Sequence, residues 1–122
     1  MNAVHRAGFY TSADDLRSDV RAGAEPDEET LVAYLEAAED VLASPSWAAD
    51  LLDPELPRVC ENAVLTDGEW FWPAILPYYV RRYHVRLPDE LLARIRGFGG
   101  QLPELGEAEL MAATRRFVAG PG

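Results

Sequence analysis

The sequence contains no lysine, one cysteine and only two histidines. All eleven basic side chains are therefore arginines, which with the abundant Ala, Gly and Pro resembles the coding bias of a GC-rich genome. A lone thiol, Cys60, excludes an internal disulfide, so packing must hold the fold. No apolar run approaches the roughly 20 residues needed to cross a bilayer. The opening MNAVHRAGFYTSADD lacks the apolar stretch of a secretory signal, so a cytoplasmic location is expected. His5 and His84 have no partner at HxxxH, CxxC or ExxH spacing, and the D-x-D-x-D-G calcium loop is missing. No G-x-S-x-G elbow occurs, and the GFGG run at residues 97–100 follows a predicted helix rather than a strand. Neither a metal nor a cofactor is expected, and the chain is not expected to be an enzyme. The remaining catalytic candidates, Asp67, Glu69 and His84, are explained more simply by a turn, an exposed strand face and a helix-to-loop bend. Cys60 suits a small buried side chain.

What is present is acid. The 122 residues carry a net charge of −10, unevenly spread. Residues 1–69 hold 16 acidic and 4 basic side chains, a net of −12, whereas the remainder is at +2. Such a chain repels nucleic acid and anionic membrane and attracts a basic protein.

The length suits one domain, residues 1–122, with its own core. Ser12 followed by Asp15 predicts a helix start, with the helix running over residues 13–22 to Gly23. A second helix is predicted from Pro26, with Asp27, Glu28 and Glu29 at its positive end. At 100° per residue, Leu31, Tyr34, Leu35, Ala38, Val41 and Leu42 share an arc of about 120°. Glu28, Glu29, Glu36, Glu39 and Asp40 fall opposite, and Pro45 closes the helix. Ser46 caps a further short helix over residues 47–52. Asp67-Gly68 between the apolar runs 59–65 and 69–72 predicts a hairpin, because type I′ turns need positive φ at both central residues. Helices follow from Ala74, with Pro77 in the first turn, from Pro88 to about Arg96, and over residues 107–118. The predicted fold class is α+β, a mostly helical domain with one short antiparallel hairpin.

Trp70, Phe71, Trp72, Tyr78, Tyr79 and Tyr83 crowd into one segment, which predicts the folding core there, with Trp70 or Tyr78 left exposed as an interface anchor. The acidic helix face has no Arg at i,i+4 spacing, and its excess continues through Asp50, Asp53, Glu55 and Glu61. Two readings stand here, a solvated face and a binding face.

The stretch DGEWFWPAILPYYVRRYHVRLPDELL, residues 67–92, resembles the signature DG-x-W-x-W…L-x-YY-V-x-x-Y-x-V-x-LP of a family of small actinobacterial proteins. Residues 31–54, LVAYLEAAEDVLASPSWAADLLDP, resemble the upstream half of the same proteins. Some of them look like immunity proteins of toxin systems. The resemblance implies a partner-blocking role and carries no catalytic residues.

Together these readings give a small acidic binding protein of the immunity type. It would block a basic, nuclease-like toxin domain, with carboxylates standing where substrate phosphates would lie. The expected contacts are Glu28, Glu29, Glu36, Glu39 and Asp40, with Asp67, Glu69 and Trp70 from the turn. The alternative is a non-enzymatic adaptor docking through the aromatic hairpin.

Overall fold

In the computed structural model, which describes residues 4–119, the chain forms a four-stranded mixed sheet and five helices. The strands are β1 (His5–Arg6), β2 (Glu39–Ala48), β3 (Cys60–Thr66) and β4 (Trp70–Pro73). The helices are α1 (Ala13–Arg17), α2 (Glu28–Glu36), α3 (Leu76–Tyr83), α4 (Asp89–Gly97) and α5 (Glu107–Val118). The sheet order is β1-β4-β3-β2; β2–β3 and β3–β4 are antiparallel and β1–β4 is parallel.

This corrects the fold expected from sequence, a mostly helical domain with one hairpin. The β3–β4 hairpin exists, but it is the middle of a larger sheet. The predicted second helix stops at Glu36, and residues 39–48, including the predicted 47–52 helix start, form the sheet's longest strand. The apolar spacing through Leu42 suits a helix, yet β3 has a second edge of backbone groups that needs a partner. Pairing that edge with β2 overrides local preference, as β-structure often does. Glu39 and Asp40 thereby leave the α2 face.

The sheet separates two apolar layers by strand alternation. Trp72 and its ladder partner Leu65 face α2 and α3; Trp72 Nε1 donates to Leu35 O at 3.0 Å, and its ring lies 6.1 Å from Tyr34. Leu16, Leu31, Leu76, Leu91 and Ile95 complete this core. Phe71 points the other way and meets Phe117 of α5 at 5.0 Å between ring centres. Trp72, Phe71 and Tyr79 are fully enclosed, as the aromatic segment predicts. Pro77 sits in the first turn of α3, where its missing N–H costs nothing. His84 ends that helix in the left-handed conformation, φ 54°. Gly8, at φ 77°, lets the chain pass against Leu76, where a Cβ would lie 2.6 Å from Leu76 Cδ1. Among the described residues no helix is long and apolar enough to cross a membrane.

Candidate partner-binding surface

The predicted acidic helix face does not survive as a uniform surface. Arg81 of α3 lies between two of its carboxylates, 3.3 Å from Glu29 and 3.6 Å from Glu36. Glu28 is mostly enclosed and meets His84 Nδ1 at 2.7 Å. Asp27 holds Arg96 through two 2.9 Å bonds, and the guanidinium keeps its carboxyl below the usual range. The arginines absent from α2 itself are supplied by α3 and α4.

The turn residues are also corrected. Asp67 is enclosed and saturated. Its Oδ2 accepts from Tyr34 Oη at 2.5 Å and Arg94 Nε at 2.7 Å. Its Oδ1 accepts the Glu69 and Trp70 N–H groups at 3.0 and 2.9 Å. Trp70 is only 8% exposed and stacks on His5 at 5.1 Å, so it is no anchor. Glu69 is exposed and 3.3 Å from Arg94. The hairpin's rings, Trp70, Phe71 and Trp72, are therefore interior and offer a partner little surface.

A second buried carboxylate shapes the surface instead. Asp50 follows β2 and accepts from Tyr78 Oη and Tyr83 Oη, both at 2.7 Å, and from the Leu52 N–H at 2.8 Å. Burial raises its pKa; the two hydroxyls, the Leu52 amide and Arg82 outweigh that and hold it below the ordinary value. Burial and the adjoining Asp50 together push the Tyr83 hydroxyl well above its usual range. This network clamps the loop of residues 49–57 onto α3. Tyr79 assists by donating to Ala49 O at 3.0 Å and accepting the Leu51 N–H at 3.2 Å.

The clamped loop forms one wall of an open groove of about 620 Å³ on the sheet. Leu42 and Trp47 of β2, Val64 of β3, Pro73 of β4, Leu51 and Phe9 line it, and no charged side chain does. Trp47 is 50% exposed and Leu42 41% exposed, the reverse of Trp70 and Trp72. Opposite Trp47 in the ladder is Glu61, and Glu39 and Asp40 begin the same strand. None of these three carboxylates makes an ion pair among the described residues. Sequence reasoning missed Trp47 and Leu42 by placing both on helices. The available signal was that Trp47 lies outside the aromatic cluster, next to Ser44-Pro45-Ser46, which a helix interior would not accept.

The catalytic candidates are occupied structurally: Asp67 closes a turn, and His84 caps α3 and meets Glu28. Among the described residues no cluster of three His, Cys, Asp or Glu side chains is arranged to hold a metal ion. No protein-family model, curated protein or solved structure shows detectable similarity to this chain.

Proposed function

We propose that this chain is a non-catalytic binding protein of the immunity type, whose ligand is a basic protein domain. The observation that carries the reading is an uncharged groove with a half-exposed tryptophan, set beside carboxylates that have no partner of their own. Exposed aromatic anchors in apolar pockets are where binding energy concentrates. A surrounding field of one sign speeds the encounter with a partner of the other. Residues 22–57, which contain β2, include ten acidic side chains and no basic one. The resemblance to immunity proteins agrees with this charge layout and names the class of ligand, a toxin domain.

The test uses this chain as bait in extract of its source organism, beside Trp47→Ala and the triple variant Glu39→Gln, Asp40→Asn, Glu61→Gln. The expected catch is a basic protein whose recovery falls at least tenfold with either variant. Expressed alone in a bacterial host, that protein should arrest growth, and co-expression of this chain should restore it. A partner that is harmless alone overturns the immunity reading in favour of an adaptor. Equal recovery by all three baits removes the groove from the binding surface.

A further inference from the structure

We propose that β2 takes up an extended segment of its basic partner as a fifth strand of the sheet. This rests on the binding reading above and specifies how the partner is held. The sheet order leaves β2 as an outer strand of ten residues, whereas the opposite border, β1, has two. Among the described residues, no backbone hydrogen bond outside the sheet ladder and the helices involves residues 39–47. The outward N–H and C=O groups of β2 are therefore available to pair.

Sheet borders are normally guarded by lysine, proline or a bulge. Here the heavier guards stand at one end. Ala43 pairs with Ala63 and Trp47 with Glu61, so Ser44, Pro45 and Ser46 bulge against Asn62 alone. Pro45 has no N–H to offer, which closes the second half of the strand. Residues 39–43 span about 17 Å at roughly 3.3 Å per residue, with one further bulge at Val41, between the pairs Asp40–Leu65 and Leu42–Val64. Their other guards are the carboxylates Glu39 and Asp40.

Those two carboxylates decide the occupant. A second copy of this chain would bring another net −10 and the same acidic border against them. A segment alternating basic and apolar residues meets both needs. Its cations lie on the face that Asp40 and Glu61 share, and its apolar side chains lie on the other face, toward Leu42 and the Trp47 groove. Strand addition of this kind draws affinity from main-chain bonds and specificity from pockets for alternate side chains.

The test titrates the intact protein with a blocked decapeptide alternating Lys and Val. Two controls accompany it, one with Glu replacing Lys and one with two of the Val replaced by Pro at unchanged charge. Binding is followed by the tryptophan fluorescence change that Trp47→Ala removes, and by amide hydrogen exchange resolved along the chain. The expected result is at least tenfold tighter binding of the Lys–Val peptide than of either control. Alternate amides of residues 39–43 should slow in exchange, and Glu39→Lys with Asp40→Lys should abolish both effects while the circular dichroism spectrum is kept. Equal binding of the Pro-bearing peptide overturns the proposal, because charge alone then explains capture. A concentration-dependent dimer that protects the same amides without peptide overturns it in favour of a second copy. Loss of natural-partner capture by Trp47→Ala, with no peptide protection of residues 39–43, sinks strand addition and leaves the binding reading standing. Failure of both removes the two together.

Discussion

Arg94 on α4 places its Nε 2.7 Å from Oδ2 of Asp67, joining the β3–β4 turn to a helix 27 residues later. Both ends matter. The Asp67 carboxylate is fully covered, and the Arg94 side chain is only 20% exposed. Removing the arginine strands a buried charge whose remaining partners are one hydroxyl and two amides. Arg94→Leu should lower unfolding free energy by about 3 kcal/mol, the usual cost of breaking a buried pair from one side. Glu69→Gln, at an exposed neighbour of the same arginine, should change it by under about 0.5 kcal/mol. Urea unfolding of the two variants checks the contrast.

The two classes of tryptophan should behave oppositely. Trp72→Ala opens a cavity between α2 and the sheet and should cost about 3–5 kcal/mol. Trp47→Ala removes a half-exposed ring and should cost under about 1 kcal/mol. Similar melting temperatures for the two variants would contradict the placement of Trp72 against Leu35.

Stability should fall at both ends of the pH scale, for separate reasons. Asp50 has a folded pKa below its unfolded value of about 3.8. Its contribution is therefore present above that value and lost as pH drops through the lower folded one. Tyr10, Tyr34 and Tyr83 are raised above 10, chiefly by burial and then by a carboxylate neighbour. Their contribution is present below about pH 10 and is lost as pH climbs beyond it. Urea midpoints from pH 2.5 to 11 should show a plateau between roughly pH 5 and 9. Asp50→Asn should lower the plateau, flatten its acid side and soften the Tyr83 part of the alkaline side, while the Tyr10 and Tyr34 parts stay in place.

Cys60 has its thiol pKa raised by burial and is partly covered. The thiolate is the reactive form, so a disulfide reagent at pH 7.5 should label native protein at least tenfold more slowly than the urea-unfolded chain. Equal rates would place the sulfur in open solvent.

At Gly8, alanine meets two obstacles at once. The positive φ disfavours any Cβ, and the enclosed Leu76 side chain has little room to withdraw. Gly8→Ala should cost about 2–3 kcal/mol. Gly23→Ala, where nothing lies within 4 Å of the added carbon, is the control, expected near neutral by thermal melt.

The parts legible in the sequence are those specified locally. Asp67-Gly68 announces the hairpin, although the turn is not the expected type I′, since Gly68 has positive φ and Asp67 does not; Pro88 with Asp89 and Glu90 marks the start of α4. Helix α5 runs over the expected residues, with Glu109 reaching back to the Gly106 N–H at 3.2 Å. What stayed hidden depends on distant partners. Nothing near Val41 or Leu42 shows that residues 60–66 will claim them as a strand. Arg81 is 52 residues from the Glu29 that it neutralises, so the acidic face looked unopposed. Asp67 sits in a turn and Trp70 follows it at the start of β4, a place where exposure is the ordinary expectation. His5 and Arg94 cover them from opposite ends of the chain.

The parallel pairing of β1 with β4 has a consequence for the order of assembly. His5 and Arg6 leave the ribosome well before Trp70 and Phe71, their ladder partners. The β2–β3–β4 meander closes through much shorter loops, so loop-closure entropy favours it as the earlier event. Until β1 arrives, the outer edge of β4 and one face of the Trp70 ring are uncovered. Chaperone capture or misassociation would concentrate in that interval. Docking of a two-residue strand is thus the step that covers the Trp70 ring and the Trp70–Phe71 half of the β4 edge.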